Sequence, residues 1–69
     1  MFITLTLVKY DKSMRFNFTN IIAYVRLTPE SCEDLNEEIT ELTVDRNITF
    51  HVKETPEEID EMVKKCLNS

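Results

Sequence analysis

The chain has 69 residues, 42% apolar and 30% charged, an ordinary balance for a globular protein that excludes full disorder. Thirteen acidic against eight basic residues give a net charge of −5, which excludes a basic stripe for direct nucleic-acid binding and disfavours contact with an anionic membrane. The absence of glycine excludes phosphate loops and dinucleotide fingerprints, and two cysteines are too few for a disulfide framework.

The first 28 residues contain three runs that alternate in hydropathy as β-strands do, at 2–9, 14–18 and 21–28. A polar stretch at 10–13 suits a hairpin turn between the first two runs. One face of the predicted sheet carries Ile3, Leu5, Leu7, Met14, Phe16, Phe18, Ile21, Ala23, Val25 and Leu27. The opposite face is also partly apolar, because Phe2, Val8, Ile22 and Tyr24 fall on it.

The middle of the chain is acidic at 29–38 and then returns to strand-like patterns. Thr28 followed by Pro29 is typical of a helix start, so a single helical turn can form here. A fourth strand is predicted at 41–45 and a fifth at 48–53. Between them, residues 45–47 form a tight turn in which Asn47 takes a positive φ.

The C-terminal segment has the clearest signal in the sequence, a helix with a defined start. Thr55 is the predicted N-cap, Pro56 the first helical residue and Glu58 the partner that completes a capping box. The predicted apolar stripe consists of Ile59, Met62, Val63, Cys66 and Leu67. We expect this stripe to cover Leu5, Phe16, Val25 and Phe50 on one face of the sheet.

These patterns predict a single small α+β domain at 1–69: an antiparallel sheet of four to five strands with one C-terminal helix packed on one face. Two alternatives would hide the second apolar face: the sheet curls into a small barrel, or the acidic segment folds over that face. The apolar N-terminus lacks a basic region and a small-residue cleavage site, so we expect no signal peptide. No apolar run is long enough to span a membrane, and we expect a cytoplasmic protein with reduced cysteines.

No residue set in the sequence points to catalysis. His51 is the only histidine and falls on the outward side of the fifth strand, where nothing in the sequence places a nucleophile or carboxylate against it. Zinc would need several ligands at short spacings, whereas Cys32 and Cys66 are far apart in the chain. We therefore predict no enzymatic activity, no metal and no cofactor.

Three surfaces are candidates for binding. The second apolar face, with Phe2, Val8, Ile22 and Tyr24, predicts a partner, and a homodimer is favoured because most oligomers are symmetric homo-oligomers. The acidic set is either solvated or docks on a basic site of a partner, as a phage-encoded inhibitor of a host defence protein would by imitating nucleic acid; it comprises Glu30, Glu33, Asp34, Glu37, Glu38 and Glu41. A small anionic signalling molecule could be held by Arg15, Arg26 or Arg46.

Several short segments resemble one known family. These are "ITLT" at 3–6, "FNFTNI" at 16–21, "TP" at 28–29 and "FHVKETPEEI" at 50–59. Together they resemble the FlbD-like flagellar proteins, short bacterial proteins that close with a V-x-E-S-x-E-E entry into a helix. Residues Val52, Glu54, Glu57 and Glu58 carry that closing motif here.

The resemblance implies a similar fold and no catalytic residues. The chain departs from the family pattern in a long acidic segment at 30–41, and Arg46 and Asn47 stand where the family has a glycine in its later hairpin. The function that the sequence predicts is that of a small non-enzymatic regulatory or accessory protein that acts by protein–protein binding.

Overall fold

A computed structural model describes residues 1–31, 33 and 35–68, and it contains one five-stranded antiparallel sheet and one α-helix. The strands are β1 (Phe2–Leu7), β2 (Lys12–Asn17), β3 (Ile21–Leu27), β4 (Ile39–Val44) and β5 (Ile48–Val52), and the helix is α1 (Pro56–Asn68). A short 3₁₀ turn at Phe18–Asn20 connects β2 to β3, and a tight turn at Asp45–Asn47 that contains left-handed residues connects β4 to β5.

The strand order in the sheet is β2-β1-β5-β4-β3, which leaves β2 and β3 as the two edges. The α+β architecture with a C-terminal helix is thereby confirmed, and the strand count is the upper of the two expected. The barrel-like alternative is not found, because β2 and β3 do not pair and the sheet stays open. Where residues 29–38 are described they form turns and bends, with the Ser31 amide donating to the Thr28 carbonyl at 3.0 Å, and contain no helical turn.

The start of α1 is the predicted capping box. The Thr55 amide donates to Glu58 Oε1 at 3.0 Å, and the Glu58 amide donates to Thr55 Oγ1 at 3.1 Å. The amide and then the hydroxyl of Thr55 lower the pKa of the Glu58 carboxyl, because both interactions favour its charged form. Pro56 occupies the first helical position, where its missing N–H leaves no bond unmade.

The core lies between the sheet and the first half of α1. Its buried members are Ile3, Leu5, Phe16, Leu42, Val52 and Ile59. Met62 and Val63 pack against this cluster, as the predicted stripe requires. The stripe is wrong at its end, because Leu67 is 69% exposed and Cys66 is exposed. The last turn of α1 therefore leaves the Leu67 side chain in solvent, although the Cys66 thiol still reaches the Phe2 carbonyl of β1 at 4.0 Å.

Strand β3 faces the opposite way from the prediction over most of its length. A bulge lies between Ile21 and Ala23, and beyond it Tyr24 pairs with Leu42 whereas Val25 pairs with Glu41. A bulge adds one residue to a strand, and a shift of one residue exchanges the two faces. Tyr24 consequently lies on the helix side of the sheet and Val25 on the outer face, so the expected outward Tyr24 and covered Val25 are both wrong.

The new position of Tyr24 ties β3 to the helix. Its hydroxyl donates to the carboxylate of Asp60 on α1. That hydrogen bond, helped by partial burial and by the negative charge of Asp60, raises the pKa of Tyr24 to about 12. The folded protein thus favours the neutral phenol more than the unfolded chain does.

We expect the stabilising contribution of Tyr24 to depend on pH in the alkaline range. The folded pKa lies above the unfolded value of about 10, so the contribution is complete below pH 10 and falls as the pH rises from about 10 to about 12. Urea unfolding of the wild type and of Tyr24→Phe, measured at several pH values, should show a stability difference that is constant below pH 10 and shrinks above it. A difference that stays constant up to pH 12 would contradict the contact with Asp60.

The junction between β5 and α1 holds the two halves of the sheet together. Strands β1 and β5 pair at one position, Leu7 with Val52, flanked by backbone bonds from Lys53 N to Thr6 O and from Val8 N to His51 O, each 2.9 Å. The carboxylate of Glu54 continues this contact, accepting from the Thr6 amide at 2.8 Å and from the Thr6 hydroxyl at 2.9 Å. The Glu54 side chain thus accepts the hydrogen bond from the Thr6 amide that a backbone carbonyl of a neighbouring strand would otherwise accept.

Candidate functional site

The outer face of the sheet, the one opposite the core, retains part of the predicted apolar surface. Phe2 is 54% exposed and alternates with buried Ile3, and Ile22, the residue in the β3 bulge, is 67% exposed. Val25, which the sequence placed in the core, is 52% exposed on this face, whereas Val8 is half-buried. Phe2 and Val25 are therefore the exposed large apolar residues that the register places on this face, Ile22 is exposed at the bulge beside it, and Tyr24 is not among them.

The acidic residues do not form one uniform surface. Glu30, Glu33 and Glu37 are exposed in the segment between β3 and β4, and Asp34 lies outside the described residues. Glu38 lies 3.4 Å from Arg26 Nη2. Glu41 lies on β4, and its Oε2 is 3.3 Å from His51 Nε2. Of the five candidate carboxylates that the structure describes, two thus have a cationic or ionisable partner within this chain.

Arg26 is held by the structure instead of facing a ligand. Besides Glu38, its Nη1 donates to Thr40 Oγ1 at 3.1 Å and to the Lys53 carbonyl at 3.4 Å. Thr40 is fully buried, and its hydroxyl donates in turn to the Glu54 carbonyl. The guanidinium therefore satisfies backbone and side-chain oxygens beside the β5–α1 junction, a structural role that the sequence did not indicate.

Arg15 and Arg46, far apart in sequence, line the same groove. This groove, which we call the β2 groove, has a volume of about 420 Å³ and lies between β2 and the β4–β5 connection. Its apolar residues are Met14, Phe16, Val44, Ile48 and Phe50. The rings of Phe16 and Phe50 meet edge to face, with centroids 5.2 Å apart, although β1 separates their strands. The β1–β2 hairpin therefore bends towards β5 and creates the groove.

The charged groups of the β2 groove are open to solvent. Arg15 and Arg46 are exposed, and the guanidinium of Arg15 lies 5.3 Å from the centroid of the Phe2 ring. In the described part of the chain the ion pairs are Arg26–Glu38 and Lys53–Asp11, and Glu41 lies beside the imidazole of His51, so neither groove arginine is bound to a carboxylate. Asp45 is the acidic residue in the lining.

Backbone geometry places Arg46 at the groove. Arg46 has φ 61° and ψ 34°, and Asn47, as predicted, has a positive φ of 65°. A left-handed residue other than glycine costs about 1–2 kcal/mol, less for asparagine, and this chain has no glycine to use there. The turn is therefore formed at an energetic cost that presents an arginine beside Ile48, which is 53% exposed.

A second depression of about 240 Å³ shares Phe50 with the β2 groove and is otherwise lined by Leu7, Lys9, Tyr10, Thr49 and His51. Lys9 stacks on the Tyr10 ring, 5.5 Å from its centroid. His51 is exposed there on the outer face, as expected, and its polar neighbour is Glu41. Among residues 1–31, 33 and 35–68, no group of three or more His, Cys, Asp and Glu side chains is arranged to hold a metal ion.

Comparisons with known proteins find no match for this chain. No protein-family model matches the chain, and neither a curated protein nor a solved structure does. The FlbD-like resemblance accordingly stays a prediction. Within the described residues, no helix combines the length and the apolar character that crossing a membrane requires.

Proposed function

We propose that this protein is a small, non-enzymatic regulatory or accessory protein of the cytoplasm that acts by binding other proteins, first of all a second copy of itself. The observation that carries this proposal is the exposure of Phe2, Ile22 and Val25, each more than half exposed on a chain of 69 residues. Exposed large apolar side chains that lie close together typically mark an interaction surface, and Ile22 and Val25 lie on the same strand, β3.

The position of β3 supports self-association. This strand is an edge of the sheet, so half of its backbone N–H and C=O groups lack a neighbouring strand. Ile22 and Val25 both lie on it. Antiparallel pairing of β3 with β3 of a second copy would be isologous, would satisfy these groups and would bring both apolar residues to the dimer axis. We therefore place the homodimer interface at β3.

The test is the oligomeric state of β3 variants in sedimentation equilibrium. We expect the wild type to dimerise in the micromolar to millimolar range, and Ile22→Lys and Val25→Lys to be monomeric, because each buries an unpaired charge at the interface. Asn36→Lys, an exposed position in the β3–β4 segment, serves as the control and should dimerise like the wild type. A wild type that is monomeric at millimolar concentration would contradict the homodimer.

The acidic segment is the second candidate surface. The exposure of Glu30, Glu33 and Glu37 favours docking on a basic site of a host protein, as the inhibitor hypothesis requires. Arg26 beside Glu38 reduces the negative charge available to such a partner, and the Glu41 carboxylate already has His51 as a hydrogen-bond neighbour. For this reason we rank it below the apolar face. A small anionic ligand would have to bind at Arg15 and Arg46, since Arg26 is already engaged.

A further inference from the structure

The free edge of β2 faces the β2 groove. Four consecutive residues, Met14–Asn17, line the groove. Successive side chains of a strand point to opposite faces, so a groove that touches four residues in a row runs along the edge of the strand and not across one face. The occupant of such a groove lies beside β2, where a further strand of the sheet would lie.

The backbone groups that β2 offers there follow from its pairing with β1. The amide of Phe18 donates to the Met1 carbonyl at 2.9 Å, which makes these two residues a hydrogen-bonded pair in the β1–β2 register. Hydrogen-bonded and non-bonded pairs alternate along an antiparallel ladder. Residues 13 and 15 of β2 therefore direct their N–H and C=O groups away from β1 and towards the free edge. Asn17 directs its N–H there, whereas its C=O begins the 3₁₀ turn that follows.

The side chains of the groove define what would lie beside that edge. On the core side of β2 the groove is apolar, and Met14 (36% exposed) and Ile48 (53% exposed) leave its floor open. On the opposite side of the strand stands Arg15, with Arg46 at the far wall. Groove side chains carry two positive charges against one negative charge of Asp45, whereas the whole chain carries −5.

From this juxtaposition we infer that the β2 groove binds an extended segment of a partner protein in which large apolar residues alternate with acidic ones. The segment adds to β2 as a new edge strand, its backbone bonds residues 13, 15 and 17, its apolar side chains enter the groove beside Met14, and its carboxylates lie beside Arg15. The inference rests on the proposed function, since it names the chemistry of one partner, but it uses β2 and leaves the β3 interface untouched.

The test is fluorescence anisotropy with labelled short peptides. One peptide alternates leucine and glutamate, and the second has the same composition in two blocks. We expect the alternating peptide to bind at least about tenfold more tightly, because only it can place leucine and glutamate on opposite faces of an added strand. Equal binding of the two peptides, or no binding of the alternating one, would overturn the inference.

Two further comparisons identify the site and the mode of binding. The double variant Arg15→Glu, Arg46→Glu should weaken binding at least about tenfold. Lys64→Glu with Lys65→Glu makes the same charge change on exposed positions of α1 and should leave binding nearly unchanged. Methylation of alternate peptide amides should abolish binding when the methylated set faces β2 and not when it faces away, since a strand bonds through one edge. Equal loss with both methylated peptides would overturn strand addition.

Sedimentation of the same variants separates this inference from the homodimer. If Arg15→Glu, Arg46→Glu dimerises like the wild type and loses the peptide, the groove binds a partner segment, as inferred. If the variant loses self-association, the groove belongs to a second copy of the chain and the inference is overturned. A wild type that dimerises through β3 but binds no peptide keeps the proposed function and loses the groove.

Discussion

Replacing Ile59 with alanine should leave a large part of the protein unfolded in water at room temperature. Ile59 is fully buried and is the one residue of α1 in the described core. Removing a buried isoleucine side chain down to alanine costs about 2–5 kcal/mol. A domain of this size gains only about 3–5 kcal/mol from its core, so the two quantities are comparable.

The measurement is urea unfolding followed by far-ultraviolet circular dichroism. Leu67→Ala is the matched control, since it removes an apolar side chain from the same helix at a site that is 69% exposed, and should change stability by less than about 0.5 kcal/mol. Ile59→Val removes one methylene group and should cost about 0.5–1.5 kcal/mol, which keeps the comparison measurable if the alanine variant does not fold. Equal effects of Ile59→Ala and Leu67→Ala would contradict the packing of α1.

The contrast between these two residues shows what periodicity can predict. A spacing of three and four residues predicts that Ile59 and Leu67 share one side of a helix, and the capping box at Thr55 predicts where that helix begins. Neither pattern contains the length of the surface against which the helix packs. That surface is formed by strands elsewhere in the chain, and it does not extend far enough to cover the Leu67 side chain.

Strand β3 shows a second limit of the sequence pattern. The run from Ile21 to Leu27 is almost uniformly apolar, so either face of the strand can pack against a core. The hydropathy pattern therefore does not distinguish the two orientations of the strand. The bulge at Ile22 sets the register of the residues that follow it, and a bulge is a feature of the pairing between two strands, which one segment of sequence does not contain. The prediction that Phe2 and Ile22 are exposed apolar residues is correct. Tyr24, which was predicted to be exposed, packs against the core, and Val25, which was predicted to be covered, is exposed.

The β2 groove could not be derived from the sequence because the residues that line it lie in separate segments of the chain. Arg15 and Arg46 are both predicted as possible contacts of an anion, but nothing in a single sequence indicates that a residue of β2 lies near the β4–β5 connection. They meet because the β1–β2 hairpin bends towards β5, where Phe16 reaches Phe50. The positive φ of Asn47 was foreseen from residue type, and that of Arg46 was not.

Replacing Glu54 with alanine should cost about 1–3 kcal/mol, which is the penalty for leaving a partly buried donor without its acceptor. The carboxylate accepts from both the amide and the hydroxyl of Thr6. Beside it, β1 and β5 share one paired position, so the loss falls where the sheet has least other support. Glu54→Gln keeps one acceptor oxygen and should therefore lose less than the alanine variant does.

A double-mutant cycle with Thr6→Val isolates this contact in urea unfolding. Valine removes the hydroxyl and leaves the amide, so Glu54→Ala should still destabilise the Thr6→Val protein, though by less than it destabilises the wild type. Glu57→Ala, an exposed position in the first turn of α1, controls for the loss of one negative charge near the helix start. If Glu54→Ala is no more harmful than Glu57→Ala, the Glu54 carboxylate does not join β1 to β5. The two halves of the sheet would then depend on Leu7, Val52 and their flanking backbone bonds alone.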